Sequence, residues 1–170
     1  PCRAAEPNDR FEAGRTVAVV NTPLTDVLRQ CNVDSQNLYA ESLLKLIGHR
    51  VTGEPGSWTT GGAVVRMLIS DTIGAEHAAT TAVADGSGLR DQNRVSPLTV
   101  ARWLRALHEQ ETLRTPMVES LPTVGEGTLT RRFRSTPIEH EVRAKSGTID
   151  GVRCLSGYLL AGTGGGIAYT

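Results

Sequence analysis

"AKSGTIDGVRCLSGYL", residues 144–159, is where the period of the chain changes. Val142 and Ala144 alternate with Arg143 and Lys145, the period of a strand with one buried face. Gly147 to Gly151 predicts a turn, and Val152 to Ala161 a returning strand. Ahead of this hairpin, apolar residues recur every three or four positions instead. Helices first and then an antiparallel hairpin predict an α+β fold, with helices packed on an antiparallel sheet.

The flanking segments fill in that order. "GTGGG" (162–166) predicts another hairpin turn, and Gly166 to Thr170 the start of a further strand. Ser96-Pro97 predicts a helix start, with Ser as N-cap and Pro in the first turn. Val100, Trp103, Leu104 and Leu107 give that helix its inner face. A helix is expected over Pro23–Gln30, and a second from Ser35 with Tyr39, Leu43, Leu46 and Ile47 inward and Gly48 as its C-cap. "GEPGSWTTGG" (53–62) predicts a loop, followed by a helix over 63–73 that buries Val64, Met67 and Leu68. "ADGSGLRDQNR" (84–94) is a loop, and Thr16 to Val20 a short strand. Residues 1–15 are expected to be a linker or the tail of something missing, and 16–170 an incomplete domain.

The composition excludes several classes. The 170 residues carry no formal net charge, 39% are hydrophobic and 21% charged, as in ordinary globular proteins. With 4% aromatics and a sequence pI near 7.4 there is neither a base-stacking platform nor a basic footprint, so no nucleic-acid partner is expected. The basic cluster Arg131-Arg132-Phe133-Arg134 reads as solvated surface. Three cysteines, Cys2, Cys31 and Cys154, fit neither a disulfide framework nor a zinc site and leave the redox compartment open. The four histidines are scattered, so no metal and no cofactor is expected.

Chemistry-bearing patterns are few. Lys145-Ser146-Gly147-Thr148 can clamp an anion, through an ammonium and two hydroxyls, with a glycine that leaves room for a ligand along the strand. Alone it is a common surface turn. Ser35-Gln36-Asn37 opens a predicted helix, and Ser42-Leu43-Leu44-Lys45 follows it. Both resemble motifs of acyl-serine enzymes that act on penicillin-like substrates.

Taken together, S-Q-N-L-Y-A-E (35–41), D-G-S-G-L (85–89), N-R-V-S-P (93–97), S-L-P (120–122), G-T-L (127–129), A-K-S-G-T-I-D-G-V (144–152) and G-Y-L (157–159) stand in one order. In that order the chain resembles the D-alanyl-D-alanine carboxypeptidase/endopeptidase family, the low-molecular-mass class C penicillin-binding proteins. The resemblance implies part of a penicillin-binding-protein/β-lactamase-like transpeptidase domain and serine acyl-enzyme chemistry. It assigns catalytic roles to Ser35, Asn37 and Lys145, and substrate binding to Ser146, Gly147 and Thr148. Asp85 and Gly86 are expected to shape a loop near the site. Ser146 replaces the more usual Thr of the third motif and keeps its hydroxyl. The family's first motif, Ser-x-x-Lys, belongs far upstream of Ser35. Ser42 and Lys45 follow Ser35, so they are read as ordinary helix residues, and the chain as a fragment without its nucleophile and base.

The implied partners are a peptidoglycan stem peptide ending in D-Ala-D-Ala, β-lactams as inhibitors, and the missing remainder of the same polypeptide. The implied location is periplasmic or otherwise extracytoplasmic. A serine β-lactamase or esterase of the same fold is the alternative enzyme, and a non-catalytic scaffold the alternative outside enzymes.

Overall fold

The computed structural model describes residues 17–133, 138–161 and 165–170. Six helices precede a three-stranded sheet. The helices are α1 (Leu24–Val33), α2 (Asn37–Thr52), α3 (Trp58–Ile73), α4 (Ala75–Ala79), α5 (Pro97–Glu109) and α6 (Glu111–Ser120). A 3₁₀ turn, Gly127–Leu129, leads into β1 (Glu141–Ile149), β2 (Val152–Ala161) and β3 (Gly165–Tyr169). The strands lie in the order β1-β2-β3, both pairs antiparallel. The architecture is the expected α+β arrangement.

Apolar side chains pack on both faces of the sheet. Tyr158 and Leu160 of β2 meet Leu104 of α5 and Met117, Val118 and Leu121 around α6. Tyr158 is fully buried and donates its hydroxyl to Leu104 O at 2.8 Å, which ties α5 to the sheet. Burial pushes that phenol up to about 12. On the other face, Val142, Ala144, Leu155 and Leu159 close over Leu129 of the 3₁₀ turn.

Local chemistry explains the helix starts. Ser96 Oγ accepts Thr99 N–H at 3.1 Å with Pro97 in the first turn of α5, as expected. The same device corrects the loop expected over 53–62. Ser57 accepts Thr60 N–H at 3.1 Å, Thr60 Oγ1 accepts Ser57 N–H at 3.0 Å, and this capping box starts α3 at Trp58. Gly61 is buried inside α3, where an added Cβ would lie 2.2 Å from Leu44 O. Gly48 is likewise not a C-cap. It is buried within α2, and an added Cβ would meet the Gly61 amide nitrogen at 2.8 Å. The glycines let α2 and α3 approach backbone to backbone, and Gly53, at φ +76°, ends α2 instead.

That close approach also turns the helices. Leu44 is the buried leucine of α2, while Tyr39 and Leu46 are 40% and 46% exposed. In α3, Val64 is buried as expected, but Ile69 takes the place predicted for Met67 and Leu68, which are exposed. Residues 17–20 form no strand, since none of their groups joins a ladder among the described residues. The first hairpin is tighter than expected: Ile149 pairs with Val152, so Asp150-Gly151 alone makes the turn. The linker expected over 1–15 and the core of the glycine turn at 162–164 lie outside the described residues.

Candidate active site

Three segments converge on an open cleft of about 490 Å³. The α1–α2 junction contributes Cys31, Asn32, Ser35, Asn37 and Ala40. The loop after α4 contributes Gly86 to Leu89. The hairpin contributes Lys145 to Ile149, with Val152, Cys154 and Ser156 from β2. Residues 110 positions apart in sequence, Ser35 and Lys145, thus line one space.

Ser35 stands in the α1–α2 turn at φ +56°, a left-handed backbone that costs a non-glycine residue about 1–2 kcal/mol. Its side chain is exposed. Asn37 begins α2 two residues later and is also exposed. The junction is held from below. Asn32 Nδ2 donates to Ser120 Oγ at 2.8 Å, and Arg29 pairs with Glu126. Gly127 packs so closely that an added Cβ would lie 2.3 Å from Val33 O. The 3₁₀ turn therefore supports Ser35 on one side while Leu129 carries the hairpin on the other.

Lys145, Gly147 and Cys154 share one face of the hairpin, since Gly147 pairs with Cys154 and side chains alternate along a strand. An added Cβ at Gly147 would lie 2.7 Å from Cys154 Sγ, so the thiol occupies the space that the glycine leaves. Burial holds the Lys145 ammonium below its ordinary range, against the opposing pull of Cys154 and Cys31. Its Nζ donates to Ser146 O. Burial pushes the Cys31 thiol up, and Lys145 works the other way. Neither thiol forms a disulfide among the described residues.

Backbone direction matters as much as side chains here. Ala144 N–H leaves the β2 ladder and donates to Pro122 O at 3.1 Å. By the two-residue period of a strand, the N–H groups of Ser146 and Thr148 point to that same outer edge. The described residues place no strand beside the edge at Thr148. Ser146 is buried, and its hydroxyl donates a long bond, 3.5 Å, to Thr128 O; Thr148 is exposed.

The loop wall is built from carboxylates. Asp85 is buried and does not line the cleft. It accepts Gly88 N–H at 2.7 Å, Arg90 N–H at 2.8 Å and Asn93 Nδ2 at 2.7 Å. Gly86 lies against α2, where an added Cβ would sit 2.3 Å from Ala40 O. Ser42 is exposed, donates to Leu38 O at 2.7 Å and does not line the cleft; Lys45 Nζ sits 4.4 Å over the Trp58 ring.

The profile of the D-Ala-D-Ala carboxypeptidase 3 (S13) family matches residues 4–170. The chain belongs to this family. Among relatives of the S13 family, the carboxypeptidase DacB of Mycolicibacterium smegmatis is 35% identical over 161 residues, 88% of this chain and 33% of that one. The D-alanyl-D-alanine carboxypeptidase of an Actinomadura species is 37% identical over 142 residues, 80% of this chain and 26% of that one. Among solved structures, penicillin binding protein 4 (dacB) from Haemophilus influenzae matches with a TM-score of 0.74 and 28% identity, covering 86% of this chain and 32% of that one. A second structure of that protein, in complex with a β-lactam, matches with a TM-score of 0.71. The S13 chain described here thus spans about a third or less of the relatives it matches.

Sequence reasoning left Glu41 without a role. It accepts four hydrogen bonds from the loop wall and α3, as described below. It closes the 35–41 stretch that carries the resemblance, but its partners lie 17, 45 and 46 positions away, so its role could not be read there.

Proposed function

We propose that this chain is the substrate-clamping part of a serine D-Ala-D-Ala carboxypeptidase or endopeptidase that acts on peptidoglycan stem peptides outside the cytoplasmic membrane. The convergence of Ser35, Asn37 and the Lys145–Thr148 edge on one cleft carries this reading. Ser35 is the first serine of the chain, so no Ser-x-x-Lys stands ahead of it within these residues. Nucleophile and base come from further polypeptide that completes the cleft.

In the complete site, the nucleophilic serine attacks the carbonyl between the two D-alanines. The acyl-enzyme forms, D-Ala leaves, and water or an amine resolves the ester. Ser35 passes a proton toward the leaving nitrogen, and Lys145 lends positive charge beside it. Asn37 holds the peptide amide. Ser146 and Thr148 bind the terminal carboxylate. The outward N–H of Thr148 supplies one oxyanion donor, worth about 3 kcal/mol of transition-state stabilisation by comparison with other oxyanion holes. The β-lactam bound by the Haemophilus relative supports β-lactams as inhibitors here.

Fluorescent-penicillin labelling and D-Ala release test this reading, on the full-length gene product and on these 170 residues alone. The full-length protein is expected to take one covalent label and release D-Ala from a D-Ala-D-Ala peptide, while the chain alone does neither. Rapid β-lactam hydrolysis without D-Ala release would favour a β-lactamase. A full-length protein that takes no label would leave only a scaffold.

A further inference from the structure

The carboxylate of Glu41 joins three elements around the cleft. Its Oε2 accepts Gly86 N–H at 3.1 Å and the Trp58 indole N–H at 2.6 Å. Its Oε1 accepts Ser87 Oγ at 2.6 Å and Ser87 N–H at 3.3 Å. Glu41 lies one turn after Asn37 on α2, and Ser87 and Gly88 line the same cleft as that helix start. Asp85 braces the loop internally, so the loop moves as a unit unless something ties it to α2. Gly86 permits the tie by leaving its backbone against Ala40 O.

We propose that Glu41 is a positioning residue that fixes the spacing between Asn37 and the Ser87–Leu89 wall, and so governs how tightly the cleft holds its substrate. This rests on the cleft being the substrate site. All four bonds are donated to the carboxylate, and of these donors only the Ser87 hydroxyl could turn to accept. A glutamine would aim its amide N–H at one of them, and an aspartate falls one methylene short. Lys45 and Arg90 lie over the ring of Trp58, whose indole N–H binds the carboxylate, at 4.4 and 4.3 Å, and Asp85 is buried in the loop that carries Gly86 and Ser87. Burial alone would raise the Glu41 carboxyl, but the bonds from Ser87, Gly86 and Trp58 outweigh it and hold it below its ordinary range. The tie therefore persists until the medium is more acidic than an ordinary glutamate tolerates.

The test compares wild type with Glu41→Gln in the full-length protein. Amide exchange at Gly86 and Ser87 should accelerate about tenfold while α5 amides keep their protection, and KM for a D-Ala-D-Ala peptide should rise about tenfold with kcat within about threefold. Trp58→Phe, which keeps an aromatic side chain of smaller size and removes one donor, should show a smaller change in the same direction. Trp58→Phe decides the matter if Glu41→Gln fails to fold. In wild type, loss of Gly86 and Ser87 protection should set in only below the ordinary carboxylate range. Unchanged exchange at Gly86 and Ser87 would overturn the tie, and faster exchange with unchanged KM would overturn its role in substrate spacing. A wild type without activity on the peptide would sink the substrate reading, while the exchange arm would still decide whether Glu41 holds the loop.

Discussion

The loop at 85–93 and the β1–β2 hairpin line the same cleft, yet their backbones are held by different forces. In the loop, side-chain oxygens do the work. Asp85 takes three donors, Asn93 Oδ1 takes Ala84 N–H at 2.8 Å, and Glu41 binds the loop to α2. In the hairpin, nine cross-strand pairs from Glu141↔Leu160 to Ile149↔Val152 hold the chain, with no demand on side-chain identity at Lys145 or Thr148. A wall held by side chains is rigid only while those side chains stay. A ladder frees its side chains for chemistry, because the backbone satisfies itself. The candidate site residues of the hairpin should then be cheap to mutate for stability, and the costly positions should lie in the loop.

The largest effect is expected at Asp85. Replacing it with Ala leaves the Gly88 and Arg90 N–H groups and the Asn93 amide without their acceptor, at a cost of about 3 kcal/mol. The matched change in the hairpin, Thr148→Ala, removes an exposed side chain and should alter stability by less than about 0.5 kcal/mol. Urea midpoints of the two variants measure the contrast. Equal losses would mean that the ladder depends on side chains after all, and the comparison would fail.

The same contrast explains what the sequence could reveal. Elements set by local chemistry were legible: the Ser96-Pro97 helix start and the alternation in β1 depend on neighbours a few positions away. The α2–α3 contact was not. Gly48 and Gly61 look like breakers locally, and only the approach of two distant backbones makes them helix-packing residues. In the site, the Ser35, Asn37 and Lys145 triplets were visible because an ordered set of motifs carries them. Glu41 stood in the same set but its role was not legible, because that role depends on Ser87 and Trp58 reaching it through the fold.

A middle-sized effect is expected at Ser35, which belongs to neither wall and pays for its place with backbone strain. At φ +56°, glycine is relaxed and alanine is not. Ser35→Gly should be more stable than Ser35→Ala by about 1 kcal/mol, although both remove the hydroxyl. Thermal melts of the pair, alongside penicillin labelling, separate strain from chemistry. Equal melting temperatures would show that the turn does not strain the residue.

The smallest effect on stability, and the most informative about the hairpin, is expected at Lys145. Its ammonium is partly buried, and burial holds its proton affinity below that of the unfolded chain. The sign follows from proton counts. Below the folded value, the lysine is charged in both states, and burying that charge costs stability in full. Between the folded value and the ordinary 10.5, the unfolded chain keeps its proton while the folded chain releases it. Stability contributed by this group therefore rises with pH through that window. Lys145→Met should melt slightly higher than wild type at neutral pH and lose that advantage as pH climbs toward 10.5, while it no longer acylates with penicillin. Melting temperatures of both proteins across that range measure the difference. A variant that melts lower at neutral pH would place a structural contact at Lys145, and the hairpin would then resemble the loop, with stability and function resting on the same side chain.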